Sequence, residues 1–200
     1  AIYATVTTLA QMLTAILAGW AFVRWRFPFD KLILGLIALT WLVPFQVVMI
    51  PNYILVSRMG LVDNILALLL PNVVSAFAVL LLVQSMRSFP TEVIEAAEMD
   101  GASHWRVLWR VVVPNLRAPL AALSILLFIS TWNDYFWPLL LTRTDKSTVI
   151  QIGIQMFLTE EGNQWGPLMA ISSLACLPVL AIYIALQRQV IDSFVKAGMR

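Results

Sequence analysis

The chain has 200 residues, of which 60% are hydrophobic and 12% are charged, and its formal net charge is +2. Its mean hydropathy is +0.85, whereas a soluble domain is about 45–50% apolar and about 25% charged. This composition excludes a water-soluble globular domain and indicates an integral membrane protein. Cys176 is the only cysteine, which excludes a disulfide within the chain. We expect no metal site and no cofactor, because the sequence shows no cluster of metal ligands.

Five segments are long and apolar enough to be membrane-spanning helices, which need about 20 apolar residues each. Their apolar runs are continuous rather than alternating, which favours helices over the strands of a membrane barrel. The sequence therefore predicts an all-α, polytopic helical bundle. The five predicted spans are 2–23, 32–56, 65–86, 119–141 and 166–186.

Prolines fall inside four of these spans, and each proline removes a backbone donor and is able to kink its helix. They are Pro44, Pro51, Pro71, Pro138 and Pro178. Two interpretations stay open: membrane helices simply tolerate proline, or the kinks open a cavity and act as hinges for alternating access.

Basic residues indicate the orientation, because loops rich in Lys and Arg stay in the cytoplasm. With five crossings, one side collects ten of the thirteen basic residues: Arg24, Arg26, Lys31, Arg87, Arg106, Arg110, Arg117, Arg188, Lys196 and Arg200. This side is predicted to be cytoplasmic, together with the C-terminus. Residue 1 is Ala rather than Met, and five crossings leave it outside. We therefore expect one N-terminally truncated transmembrane domain over residues 1–200, with six spans in the full-length protein.

The segment 88–115 is too charged to span a membrane. Pro90 suits the first turn of a short helix, and Glu92 and Glu95 favour its positive N-terminal end. Gly101 is expected to end this helix in a left-handed cap.

A second short helix is expected after Gly101, with Ser103 as its N-cap. It would carry one apolar stripe suited to the headgroup zone of the membrane. The stripe is formed by Trp105, Leu108, Trp109 and Val112.

The same segment resembles the EAA loop of the permease subunits of binding-protein-dependent ABC importers. The matching residues are Glu95-Ala96-Ala97, Gly101, Val111, Val113 and Pro114, with valines at both positions where the pattern has Ile and Leu. Other stretches resemble the carbohydrate and glycerol-phosphate branch, including the second subunit of maltose-type permeases. They are Met99–Ser103, Trp132–Asp134, Pro138-Leu139, Trp165–Ala170 and Gln187-Arg188.

The resemblance implies that the short helix docks on a cytoplasmic ATPase subunit whose closure moves the permease helices. The residues expected to couple the two are Glu95, Ala96, Ala97, Asp100, Gly101, Ala102, Ser103 and Pro114. The chain has no Gly-Lys pair, so it lacks the phosphate-binding loop of an ATPase. We therefore expect a permease subunit that is not itself an enzyme. The implied partners are a homologous permease, two ATPase copies and an extracytoplasmic solute-binding protein.

Polar residues within the predicted spans are candidates for the translocation path, because a carboxylate or amide there is expected to face the bundle or a wet cavity. The candidates are Trp132, Asn133, Asp134, Tyr135, Gln46 and Asn72. The alternative is structural: Asp134 caps or pairs locally and the aromatic residues anchor the helix at the membrane interface. His104 is expected to be solvated or to contact the ATPase. Glu160 and Glu161 lie in an outer loop that either meets the binding protein or is simply solvated.

The expected function is import of a sugar, oligosaccharide or polyol, glycerol 3-phosphate included, across the cytoplasmic membrane of a bacterium. No Arg or Lys lies deep in the five spans, which disfavours a charged solute held by this subunit alone. Three alternatives stay open: a permease of the same superfamily for an amino acid, peptide or anion, a membrane-embedded enzyme, and a channel or passive scaffold.

Overall fold

The computed structural model describes residues 1–25, 28–144, 148–155, 157 and 165–197, with side chains up to residue 189. Every regular element in these residues is helical, so the all-α prediction is confirmed. The helices are α1 (Ile2–Arg24), α2 (Asp30–Leu42), α3 (Phe45–Arg58), α4 (Ile65–Leu69), α5 (Ala76–Arg87), α6 (Thr91–Met99), α7 (His104–Val107), α8 (Val113–Asn115), α9 (Arg117–Trp132), α10 (Phe136–Leu141), α11 (Ile150–Gln155) and α12 (Trp165–Ala197). A 3-10 turn covers Leu70–Asn72 and a π-helical turn covers Leu108–Val112.

Two of these helices, α1 and α12, are each long and apolar enough to cross a membrane alone. Three further pairs pass the same test only as bent units: α2 with α3, residues 65–72 with α5, and residues 104–115 with α9. The described chain thus supplies between two and five crossings. The predicted number of five requires each bent pair to be one crossing, and it stays a prediction.

The second predicted span, 32–56, is broken at one of the two prolines that were expected to be able to kink it. The chain bends by 94° between α2 and α3, and Pro44 lies at the break as the residue before α3. Pro44 has no N–H to give to the preceding turn, so the helix ends at Leu42 and begins again at Phe45. Pro51 and Pro178, in contrast, lie inside continuous helices.

The fourth predicted span, 119–141, is also interrupted. Helix α9 ends at Trp132 and α10 begins at Phe136. Asp134, the one acidic residue of this predicted span, lies in the break, and its carboxylate accepts a hydrogen bond from the Tyr3 hydroxyl at 2.9 Å. The bent pair that includes α9 extends toward the N-terminus instead, to residue 104, with a bend of 79°.

The chain divides into two compact units. The first comprises Ala1–Leu9, Val43–Val73 and the described residues of Ile125–Ala185. Its apolar core is built around Trp137, which is 1% exposed and packs with Leu68 and Leu141. A smaller cluster joins Phe128 and Trp132, whose rings stack 5.7 Å apart.

The second unit comprises Ala10–Leu42, Val74–Ser124 and the segment from Leu186. Buried residues recur along α5, at Val79, Leu82, Val83 and Met86. Helix α1 approaches α5 closely at Gly19: a Cβ atom built there would lie 3.1 Å from the Met86 sulfur and 3.5 Å from Leu82 atoms. Two helices pack this closely because one of them presents a hydrogen atom in place of a side chain.

Large apolar side chains are exposed along both α2 and α12. No residue of α2 is buried, and Leu32, Leu36 and Leu39 are more than half exposed. Met169 on α12 is 69% exposed. In water such apolar surfaces would promote aggregation. We therefore expect them to contact lipid or another transmembrane subunit.

Gly19→Leu is expected to destabilise the packing of α1 on α5. Overpacking a close helix contact costs about 1–3 kcal/mol, and at Gly19 the new side chain would meet Leu82 backbone as well as a movable methionine. Thermal unfolding of the purified protein in detergent measures the effect. Gly35→Leu is the matched control, because a Cβ atom at Gly35 meets nothing within 4 Å. Equal unfolding temperatures for the two variants would contradict the close approach.

Candidate coupling site

The short helix α6 ends in a left-handed cap at Gly101. Gly101 has a φ of +81°, its N–H donates to the carbonyl of Glu98 at 2.9 Å, and the N–H of Ala102 donates to Ala97 at 3.1 Å. This pair of hydrogen bonds is the Schellman motif, which satisfies the last carbonyls of a helix. Helix α6 therefore ends at Gly101 in the left-handed cap that the sequence predicts, and the chain turns there toward α7.

Helix α6 has an inner and an outer face. Ile94 is its buried residue, and Glu98 follows it four positions later on the same face, with a side chain that is 25% exposed. Opposite them, Glu92, Glu95 and Ala96 are exposed, and Met99 is 90% exposed. We call this exposed set, together with Val93, the outer face of α6.

The inner face carries an ion pair that the sequence analysis missed. The guanidinium of Arg24, the last residue of α1, donates to both oxygens of the Glu98 carboxylate, at 2.9 and 3.0 Å. Nδ1 of His104 lies 3.0 Å from the same Oε1 atom, and the ring of His104 meets that of Trp25 edge-on at 5.9 Å. Glu98 thus joins α6 to the end of α1 and to the start of α7.

The chain after the cap departs from the predicted stripe. Val107, Leu108 and Val112 are buried, whereas Trp105 is 61% exposed and Trp109 is 42% exposed. The π-helical turn over Leu108–Val112 has more residues per turn than an α-helix, which shifts the phase of the side chains. Of the predicted stripe, Leu108 and Val112 thus pack inside the chain and the two tryptophans lie outside, and their place in the headgroup zone stays a prediction.

The remaining residues of the predicted coupling set differ in exposure and in hydrogen bonding. Ser103 occupies the N-cap position of α7, but its side chain makes no capping hydrogen bond, so the predicted side-chain cap is wrong. Asp100 and Ser103 are exposed, whereas Ala97, Ala102 and Pro114 are half-buried. The carbonyl of Pro114 accepts a hydrogen bond from Arg117 at 2.8 Å, which holds the bend into α9.

In the first unit, two of the predicted path candidates, Asp134 and Asn72, each hydrogen-bond to a third polar residue, Tyr3. Tyr3 is 7% exposed, and its hydroxyl donates to the Asp134 carboxylate at 2.9 Å. The amide of Asn72 donates to the Tyr3 oxygen at 3.3 Å and to the Leu68 carbonyl at 3.0 Å. Asp134 and Asn72 are thus brought together through Tyr3, which sequence reasoning did not single out.

The other path candidates are separate from this cluster. The indole of Trp132 is buried and donates to the Ala175 carbonyl at 3.0 Å. Asn133 is exposed and its side-chain oxygen accepts from Gln151 at 3.3 Å, while Tyr135 packs against the neighbouring ring of Phe136. Gln46 is exposed on α3.

The acidic pair Glu160 and Glu161 lies outside the described residues. No group of three or more His, Cys, Asp or Glu side chains that could hold a metal occurs among the residues that are described.

Residues 11–195 match the family "Binding-protein-dependent transport system inner membrane component". The chain is 32% identical over 189 residues to the lactose transport system permease protein LacG of Rhizobium radiobacter, covering 94% of this chain and 69% of the relative. It is 33% identical over 183 residues to the sn-glycerol-3-phosphate transport system permease protein UgpE of Yersinia enterocolitica, covering 90% of this chain and 65% of the relative.

A solved structure is similar over nearly the whole chain. It is a bacterial ABC transporter involved in the import of the acidic polysaccharide alginate, with a TM-score of 0.80 and 25% identity, covering 94% of this chain and 71% of that one. The prediction of an ABC importer permease, a transport protein rather than an enzyme, is thereby confirmed. The chain belongs to the family of inner membrane components of binding-protein-dependent transport systems.

Proposed function

We propose that this chain imports a sugar or polyol and is driven by an ATPase that docks on the outer face of α6. The observation that carries this proposal is the geometry of α6. Its outer face presents Glu95 and Met99 to solvent, while its end is fixed by the cap at Gly101. A carboxylate beside small and apolar side chains suits a protein cleft that has a basic residue at its edge.

Membership of the family implies in general a partner permease, an ATPase and a solute-binding protein, and a multi-pass location in the inner membrane. The arrangement we propose is a heterodimer of two homologous permeases on two ATPase copies, with the binding protein outside. In this orientation the segment 88–115 and the C-terminus are cytoplasmic, as the distribution of basic residues favours.

The proposed solute is a neutral sugar, oligosaccharide or polyol. Support comes from one relative named for lactose and from the lack of Arg or Lys deep in the predicted spans. Relatives named for sn-glycerol 3-phosphate keep a phosphorylated polyol as the alternative, in which case the second permease would supply the cationic group. Co-purification of the complex with its binding protein, followed by mass spectrometry of the bound solute, decides between them.

For the translocation path we propose a division of roles in the turn between α9 and α10. Asp134 accepts a hydrogen bond from the Tyr3 hydroxyl at 2.9 Å, which suits a residue that shapes the turn. Asn133 is exposed and has an amide that suits sugar hydroxyls, so we propose that Asn133 and the neighbouring Tyr135 face the solute.

Charge reversal at Glu95 is expected to uncouple the transporter. Loss of a charge-assisted hydrogen bond costs about 1.5–3 kcal/mol, so Glu95→Lys should weaken ATPase docking about tenfold or more while the protein still inserts in the membrane. Uptake at matched expression and co-purification of the ATPase measure this. Glu92→Lys, one turn earlier on the same face, is the comparison and should weaken docking less, because Glu95 is the carboxylate proposed to meet the basic residue of the ATPase. Normal uptake by Glu95→Lys would contradict the proposal.

The cap at Gly101 gives a second test. Proline at this position cannot adopt a φ of +81°, because its ring fixes φ near −65°, so Gly101→Pro should abolish ATP-dependent uptake without loss of membrane insertion. Asparagine tolerates the left-handed conformation, and Gly101→Asn should retain most of the activity. If the two variants transport equally well, the geometry of the cap has no role in coupling.

The division of roles between Asn133 and Asp134 predicts opposite phenotypes. Asn133→Ala should raise the apparent KM for the solute about tenfold, the effect of one lost polar contact, with an unchanged unfolding temperature. Asp134→Ala should lower the unfolding temperature, because the hydroxyl of the buried Tyr3 loses its acceptor. Uptake kinetics and thermal unfolding in detergent separate the two, and a KM effect of Asp134→Ala at full stability would reverse the assignment.

A further inference from the structure

We infer that Glu98, rather than the docking residue Glu95, transmits the movement of α6 to helix α1 through its ion pair with Arg24. This inference rests on the proposed function, since it assumes that an ATPase moves α6. It assigns a positioning role to a residue outside the EAA pattern, and it names the helix that receives the movement.

The first support is the way α6 is attached to the rest of its unit. Ile94 is the buried side chain of α6, and Glu98, one turn later, is the residue of α6 that forms an ion pair. An apolar contact such as that of Ile94 is non-directional and lets a helix slide or rotate. The ion pair is therefore the attachment that can carry a displacement with a defined direction.

The second support is the geometry of the pair. Both nitrogen–oxygen distances, 2.9 and 3.0 Å, are those of strong hydrogen bonds, and a planar guanidinium facing a planar carboxylate fixes orientation as well as distance. The side chains are 31% and 25% exposed, so water screens the pair less than it screens an ordinary surface salt bridge.

The third support is the identity of the residues on each side. Arg24 is the last residue of α1, where the negative end of the helix dipole also stabilises its positive charge. His104, which shares the Oε1 atom of Glu98, is the first residue of α7. Helix α1 is continuous from Ile2 to Arg24. A pull on Arg24 is thus applied to one unbroken helix.

A second ion pair in the same unit provides a matched comparison. Asp30, at the start of α2, lies 3.9 Å from Arg87 at the end of α5, and these side chains are 33% and 44% exposed. This longer and more exposed contact is expected to contribute little. Neutralising Asp30 tests whether every ion pair near α6 affects the coupling to ATP hydrolysis, or only the ion pair of Glu98.

The experiment uses the complete transporter in proteoliposomes and measures the factor by which saturating binding protein stimulates ATP hydrolysis. Coupling between two sites is typically about 5- to 150-fold, so an interrupted link should reduce this factor by about fivefold or more in Glu98→Ala and in Arg24→Ala. Basal hydrolysis and co-purification of the ATPase should stay unchanged. The double variant R24E/E98R should recover most of the stimulation, and Asp30→Asn should stay within about twofold of the unaltered protein.

Each outcome decides the inference. Full stimulation in Glu98→Ala overturns it and leaves ATPase docking intact, and so does a charge-swapped double variant that folds but shows no recovery. Loss of ATPase co-purification in Glu98→Ala would place Glu98 in the docking surface instead. Failure of the unaltered chain to associate with any ATPase overturns both this inference and the proposed function. The double variant keeps the test valid if a single variant is poorly folded.

Discussion

The structure depends on one constraint: in an apolar environment every backbone N–H and C=O must find a partner inside the protein. Helices meet it along their length, so the informative places are the breaks. At the break before α4, Asn64 caps the helix, and Asp63 accepts backbone hydrogen bonds from Arg143 and Thr144 at 3.0 and 3.2 Å. At the start of α5, the Ser75 hydroxyl accepts from Ala78. The polar residues of this apolar chain are concentrated where helices begin and end.

This constraint explains which parts of the fold were predictable. Apolar runs long enough to cross a membrane predicted α1 with nearly correct limits and the start of α12, which continues past its predicted end at residue 186 to Ala197. The polar side chains inside these helices do not break them, since the hydroxyls of Thr14 and Ser173 hydrogen-bond to carbonyls of the preceding turn. The runs 32–56 and 119–141 were predicted as single spans and are broken, at Pro44 and between Trp132 and Phe136. Hydropathy averages over single residues such as Pro44 and Asp134. A proline or a carboxylate acts on one turn of the helix, and whether the helix kinks or ends there depends on tertiary contacts such as that of Tyr3 with Asp134.

In the segment 88–115 the local geometry of α6 was predictable. Its helix, its glycine cap and its exposed Glu95 follow from local sequence, because a Schellman motif involves residues only five positions apart. The ion pair of Glu98 could not be predicted in the same way, since Arg24 is 74 residues away. One signal was present: Glu98 follows the apolar Ile94 by four positions, which places a carboxylate on the inner face of the helix. A charge on that face needs a partner, and Arg24 and His104 provide it.

The two glutamates of the segment therefore serve two different surfaces of one short helix. A nine-residue helix has little stability of its own, so it depends on its cap at Gly101 and on its inner contacts to stay in place when a partner presses on the outer face. If the inner contact were only apolar, pressure on α6 could be absorbed by sliding over Ile94. A forked ion pair to the end of α1 resists such sliding, because displacement of either plane lengthens both hydrogen bonds at once. In the proposed function the exposed carboxylate and the paired carboxylate are thus complementary: Glu95 meets the ATPase, and Glu98 directs the movement of α6 to α1.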